Sequence, residues 1–284
     1  MDITIAAYYF PNWHRRQTDG GEVFGEWDNL KRARPRFEGH RQPLVPAWGY
    51  QDEAAPEVMA QKIAAAADHG IDVFLFDWYY NAAGTFLERA LNEGYLKAPN
   101  NDRVKFALMW ANHNLRTGKG AVPRAVFDRL VEHVVADYFT HPSYWKPGGR
   151  PYFSIYDFGL FLEGLGGIEG AAKAVEHLRA RSKAGGLKGV HLNVIDWKVR
   201  GHNDRVKLLE RLGADSVTSY VWVHLVPLKD FPQTAYDHLE RKYFEYWDWA
   251  DDAYGVPYYP NATMGWDPTP RIPPEKPHTG RRYP

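Results

Sequence analysis

Short apolar runs alternate with amphipathic stretches along the chain, and this alternation predicts repeated βα units around a parallel sheet. The clearest run is Ile71 to Tyr80, Ile-Asp-Val-Phe-Leu-Phe-Asp-Trp-Tyr-Tyr, which follows His69-Gly70. A short apolar run bounded in this way reads as a strand covered by helices on both faces. Comparable runs predict strands over Ile3–Phe10, Val104–Trp110, Pro151–Tyr156, Gly189–Ile195, Asp215–Tyr220 and Val256–Thr263. Helical spacing predicts helices over Pro56–His69, Gly84–Glu93, Pro123–Phe139, Ile168–Ser182, Asn203–Leu212 and Thr234–Tyr254.

The ends of the strands carry the chemistry. Six of the seven close on polar or aromatic residues in the same manner, among them Asp77-Trp78-Tyr79, Tyr156-Asp157 and Asp196-Trp197. A barrel gathers all its strand ends into one site, whereas a doubly wound sheet uses only those at its switch point. The expected fold is therefore an α/β TIM (β/α)8-type barrel with seven βα units readable and an eighth strand missing, the open sheet being the alternative. It would form a single domain over 1–284. Residues 12–56, rich in Gly, Pro, Arg and Trp, are too long for an ordinary connection. Trp13, Phe24, Trp27, Phe37 and Trp48 argue against disorder there, so the segment is expected to be an ordered loop over the site. After Thr269 periodicity stops, and 270–284 is expected to be an irregular tail.

Composition removes several function classes. Lys plus Arg and Asp plus Glu each number 35, so no bulk field draws in nucleic acid. No run approaches the roughly 20 apolar residues of a membrane span, and the start of the chain lacks a signal-peptide pattern; a cytoplasmic protein with no membrane partner is expected. The absence of cysteine excludes disulfides, thiolate metal sites and a cysteine nucleophile. The chain has no Walker loop, no dinucleotide fingerprint and no Gly-x-Ser-x-Gly elbow. The 12 histidines form no His-x-His or His-x-x-x-His pair, so neither a metal nor another cofactor is expected.

Aromatic residues make up 15% of the chain, many of them beside Asn, Asp, His or Gly, as in Pro11-Asn12-Trp13-His14 and Gly265-Trp266-Asp267. Flat rings next to planar hydrogen-bonding groups suit a ligand with an apolar face and a hydroxylated edge, as sugars have. For acid and base work the candidates are the carboxyls of Asp77, Asp157 and Asp196 at strand ends, with Glu26 and Asp267 in loops. Each also has a simpler reading as a helix cap or a hydroxyl partner.

Several pieces resemble the glycoside hydrolase family 71/99-like proteins of the WbsX type, relatives of the endo-α-mannosidases. They are Ala7-Tyr8-Tyr9-Phe10-Pro11-Asn12-Trp13-His14, Phe24-Gly25-Glu26-Trp27-Asp28-Asn29, Phe37-Glu38-Gly39-His40-Arg41-Gln42-Pro43, Phe76-Asp77-Trp78-Tyr79-Tyr80 and Gly265-Trp266-Asp267-Pro268-Thr269-Pro270-Arg271. The resemblance implies a metal-independent barrel acting on α-linked glycans with two glutamates of an Asn-Glu-Trp-x-Glu-Gly segment on the last strand. That segment does not occur here, which leaves Asp77, Asp196 and Glu26 as the remaining catalytic candidates. Truncation of a longer protein is the expected explanation, with a natural variant lacking the pair as the other. The expected substrate-binding set is Tyr8, Trp13, His14, Glu26, Trp27, His40, Asp77, Trp78, Trp110, Asn112, Tyr156, Asp157, Asp196, Tyr220 and Trp266, with Asp77 and Trp78 as floor and wall of a sugar subsite. A glycosidase cleaving an α-linked oligosaccharide or polysaccharide is the leading expectation. A non-catalytic glycan-binding barrel and a glycosyltransferase of surface-polysaccharide synthesis are the alternatives.

Overall fold

A computed structural model describes residues 3–17, 23–113, 120–273 and 275–277. Its centre is one parallel sheet. In chain order the elements are β1 (Ala6–Tyr9), the hairpin β2 (Arg16–Gln17) and β3 (Val23–Phe24), α1 (Glu26–Arg32), α2 (Pro56–Asp68), β4 (Val73–Asn81), β5 (Gly84–Phe86) and β6 (Lys105–Trp110). There follow α3 (Arg124–His133), β7 (Tyr152–Ile155), α4 (Phe158–Leu165), α5 (Ile168–Ala184), β8 (His191–Ile195), α6 (Arg205–Leu212), β9 (Ser216–Thr218), α7 (Tyr236–Ala253) and β10 (Tyr258–Tyr259). The parallel strands lie in the order β1-β4-β6-β7-β8-β9-β10, so each of the seven expected strands is present, shorter than its sequence run.

The sheet curls. Tyr8 on β1 places its hydroxyl 3.2 Å from Thr218 Oγ1 on β9, and those strands stand five places apart in the sheet. In a flat sheet five spacings amount to about 24 Å, beyond the reach of one side chain. Seven parallel strands thus form most of a barrel, and among the described residues β10 and β1 do not pair with each other.

Register fixes the two faces. Tyr8 pairs with Leu75, Asp77 with Met109 and Ser154 with Asn193, so these side chains share the inner face. That face is polar along β7 to β9. Ser154 Oγ donates to Asn193 Oδ1 at 2.8 Å, Asn193 Nδ2 donates to Ser216 Oγ at 2.9 Å, and Thr218 Oγ1 donates to the same Asn193 oxygen at 3.1 Å. The alternate residues are apolar. Phe74, Phe76, Trp78, Phe106, Leu108, Trp110, Phe153, Leu192 and Val194 face the helices and form the main core with Met59, Ile63, Phe127, Leu130, Val175 and Leu178.

Three local expectations are corrected. Gly84–Glu93, read as a helix, begins instead with β5, which returns antiparallel on β4 through Tyr79↔Phe86 and Asn81↔Gly84. Only Ala90–Tyr95 is helical, in widened turns. Gly94 lies there because a Cβ would come within 2.2 Å of the Glu53 carbonyl oxygen. The Phe158–Leu165 helix was not expected; Asp157 accepts a hydrogen bond from Leu160 N as its cap, and Gly166 closes it at φ 78°. Residues 12–56 also contain regular structure, the β2–β3 hairpin and α1.

Candidate functional site

The carboxyl ends of β4, β7, β8 and β9 meet around Asp77. This side chain is 3% exposed; its Oδ2 accepts the Tyr220 hydroxyl at 2.7 Å, and its Oδ1 is buried without a hydrogen-bond partner. Burial pushes the carboxyl up to about 7, although the Tyr220 hydrogen bond pulls the other way. Tyr8 meets the edge of Tyr220 at 4.8 Å between ring centroids, and Tyr156 meets it at 5.2 Å. The charge of Asp77 is felt at Tyr79 and Tyr156, whose hydroxyls are pushed up chiefly by burial. A carboxyl at neutrality inside a tyrosine ring is chemically equipped to give or take a proton.

Four of these residues lie outside the expected set or complete it. Tyr79 follows from Asp77 by strand alternation. His113 packs edge-on to Tyr79 and Tyr156 at 5.8 and 5.6 Å. Trp197 donates its indole N–H to the Tyr156 carbonyl at 3.1 Å, and His224 stacks on Trp197 at 4.6 Å. Tyr79 and Trp197 belong to strand-end runs that the sequence marks, and His113 closes the run after Trp110, whereas His224 sits on a separate loop and is recruited by the curl of the sheet.

Other expected site residues are placed elsewhere. Trp78 and Trp110 were expected as stacking faces, but they are 2% and 1% exposed. Trp78 packs on Tyr138 and His133, and Trp110 on Phe127 and Phe161, so both belong to the sheet–helix core. Asp196 faces α7, where its Oδ2 accepts Ser219 Oγ at 2.5 Å and the Tyr246 hydroxyl at 2.7 Å; burial raises it to about 6. Asn112 and Asp157 hold each other. Asn112 Oδ1 accepts Asp157 N at 2.7 Å, and its Nδ2 donates to the Asp157 carbonyl at 2.8 Å.

The long loop is tied down at both ends. Glu53, fully buried, accepts Trp13 N at 2.6 Å, the Tyr9 hydroxyl at 2.6 Å and Lys62 Nζ at 3.1 Å, with His14 at 3.7 Å. Burial raises its carboxyl, but these donors outweigh burial and hold it below the ordinary glutamate range. Trp13 and Trp27 pack on each other at 4.2 Å, and Trp27 donates to the Gln51 carbonyl; both brace the loop.

The other tie comes from residues 267–276. Asp267 Oδ2 lies 3.0 Å from His40 Nε2 and accepts Gln42 Nε2 at 2.8 Å. The burial of Asp267 opposes ionisation, yet the His40 and Gln42 hydrogen bonds bring its carboxyl down to about 2. Arg36 donates to the carbonyls of Ile272, Pro273 and Lys276. Arg271 Nε donates to Glu26 Oε1 at 2.6 Å, and Asn12 Nδ2 donates to Glu26 Oε2 at 3.1 Å. Trp266 remains 43% exposed. Asp267→Ala should therefore cost about 1–3 kcal/mol and speed proteolysis within 263–277, measured by urea unfolding and limited digestion; unchanged digestion would show that the tie is not restraining this segment.

Among the described residues no group of three or more His, Asp or Glu is arranged to hold a metal ion, and no helix is long and apolar enough to cross a membrane. A family model described as "Glycosyltransferase WbsX" matches residues 5–276. The chain belongs to the WbsX family. Its curated relatives include the uncharacterized protein WxcX of Xanthomonas campestris pv. campestris strain B100, 31% identical over 170 residues. The WxcX of strain ATCC 33913 is 32% identical over the same length. This WbsX chain is matched over 55% of its length and spans 24% of those relatives. Among solved structures, the GH99 endo-alpha-mannosidase of Bacteroides thetaiotaomicron in complex with BIS-TRIS-propane superposes with a TM-score of 0.61 at 16% identity, over 96% of this chain and 73% of that one. A glycoside hydrolase-like protein superposes with a TM-score of 0.58 at 15% identity, over 98% and 75%. At these identities the likeness establishes a barrel fold for the WbsX chain.

Proposed function

We propose that this WbsX chain binds an α-linked oligosaccharide or polysaccharide at the Asp77 mouth and cleaves a glycosidic bond there, with Asp77 exchanging the proton on the glycosidic oxygen. The observation that carries this reading is the buried Asp77 carboxyl, with one oxygen on Tyr220 and the other unpaired, inside a ring of tyrosines. Protonated up to about pH 7, such a group can protonate a leaving-group oxygen as a general acid. In the usual scheme a second carboxylate activates the water, or attacks first and is then displaced by water, so that the anomeric carbon bonds a water oxygen as the protonated sugar alcohol leaves. Glu26 is another carboxyl whose charge reaches the mouth, since it acts on Tyr79 together with Arg271.

Arg271 and Asn12 occupy both Glu26 oxygens, and that arrangement favours a second reading, glycan binding without cleavage. Incubation of the intact protein with α-mannan and other α-linked glycans, with calorimetry and assay of new reducing ends, separates the two. New reducing ends support hydrolysis, and binding heat with unchanged glycan supports the second reading. Product that forms only with a sugar nucleotide moves the assignment to glycosyl transfer. Neither heat nor product overturns the glycan reading.

A further inference from the structure

The β8 and β9 side of the mouth carries positive charge that the rest of the site neutralises only in part. Lys198 places its ammonium 4.1 Å from the centroid of the Trp197 ring, and Arg200 donates to the Leu225 carbonyl at 3.2 Å. Among the described residues neither forms an ion pair, in contrast to Lys62 with Glu53 and Arg271 with Glu26. Between them and Asp77 stands His224, stacked on Trp197 at 4.6 Å and on Tyr220 at 6.1 Å, with its Nδ1 buried and unpartnered.

The carboxyls nearby offset this charge only in part. Asp196 feels Arg200, but its bonded oxygen is turned to Ser219 and Tyr246 on the α7 side. Asp77 is largely protonated below neutrality. Burial, with Lys198 and Arg200 adding to it, holds His224 down at about 4, so its ring is a neutral hydrogen-bonding group. Two cations and a neutral imidazole beside an aromatic wall match a pyranose that carries an acidic substituent. The cations meet the carboxylate, and the imidazole meets a ring hydroxyl.

We propose that Lys198, Arg200 and His224 form a subsite for a carboxylate-bearing sugar residue of the glycan, next to the bond placed at Asp77. This rests on the glycan reading of the same mouth and narrows it to acidic glycans.

The test uses matched pairs: α-linked gluco-, manno- and galacto-tetrasaccharides, each neutral and after oxidation of C6 to the carboxylate. Calorimetry with the intact protein should show at least one oxidised member binding about tenfold tighter than its neutral partner. The gap should shrink with added salt. It should close in the Lys198→Gln/Arg200→Gln double variant, with affinity for the oxidised member falling far more than for the neutral partner, and His224→Phe should weaken both members alike. Equal affinity within every pair overturns the acidic subsite while leaving the glycan reading standing. A double variant that weakens neutral and oxidised members equally also overturns it. Absence of binding by any member overturns both.

Discussion

Asp77→Asn is expected to lower glycan turnover by about 10²–10⁴-fold, the usual contribution of a positioned acid, while changing the glycan Kd far less. The substitution keeps the shape of the side chain and an oxygen to accept the Tyr220 hydroxyl, and it removes only the exchangeable proton. Loss of affinity without loss of turnover would return Asp77 to a purely binding role. The wild-type kcat/KM should fall as pH rises through about 7, and the variant's residual rate should lose that limb.

The same substitution should raise stability while it lowers turnover. The folded-state acid is raised from 3.8 to about 7, so its contribution is fully present below the unfolded value and is lost as pH rises through the folded one. Ionising this buried group costs the folded state on the order of 4 kcal/mol above pH 7. Asp77→Asn escapes that cost. It should be more stable than the wild type at pH 8 and differ little at pH 4, as read by urea unfolding at the two pH values. A residue that destabilises the fold near neutrality yet fills the centre of the mouth is the pattern expected of a functional group.

The seven strands were legible because a helix-covered strand is written as an apolar run with a polar end, and the seven runs keep their order in the sheet. The site was legible to the extent that strand ends point to it. What failed was parity. Asp77 faces inward, so period two forces Trp78 outward and Tyr79 inward. The Trp78–Trp110 pairing in register carries the same consequence to β6. Aromatic character drew both tryptophans into the expected site, although the outward positions of these strands are where core aromatics belong. The β5 hairpin was missed for a different reason: Gly84 to Glu93 has helical spacing, and only pairing with the extended end of β4 decides it.

The loop ties were not legible as contacts. Glu26 and Arg271 are separated by 245 residues, and His40 and Asp267 by 227, and no local pattern records such pairing. Four of the motifs behind the family resemblance thus turn out to be linked, Asn12 and Arg271 bonding Glu26 while His40 and Gln42 bond Asp267. Their geometry is that of a brace that closes the long loop over the barrel, with the Glu26–Arg271 pair as the point where the brace reaches the mouth.

The other anchor of that loop should be the most sensitive to truncation. Glu53→Ala is expected to destabilise the protein by about 3–5 kcal/mol, the range for breaking a buried charge cluster, or about 10 °C in Tm for a chain of this size. The Tyr9 hydroxyl, the Trp13 N–H and the partly buried Lys62 lose their common acceptor at once, and Lys62 keeps the Tyr9 hydroxyl oxygen at 2.8 Å. Glu53→Gln should cost less, since its amide oxygen still accepts from Tyr9 or Trp13 while the charge facing Lys62 is gone. Because the folded carboxyl is lowered, its contribution is present above the unfolded glutamate value of about 4.3 and fades as pH falls through the folded one. The difference between wild type and Glu53→Gln should narrow in acid. A Glu53→Ala protein that unfolds within about 1 kcal/mol of the wild type would show that the loop is held mainly by the Asp267 tie. In that case Asp267→Ala, not Glu53→Ala, would open the segment to protease.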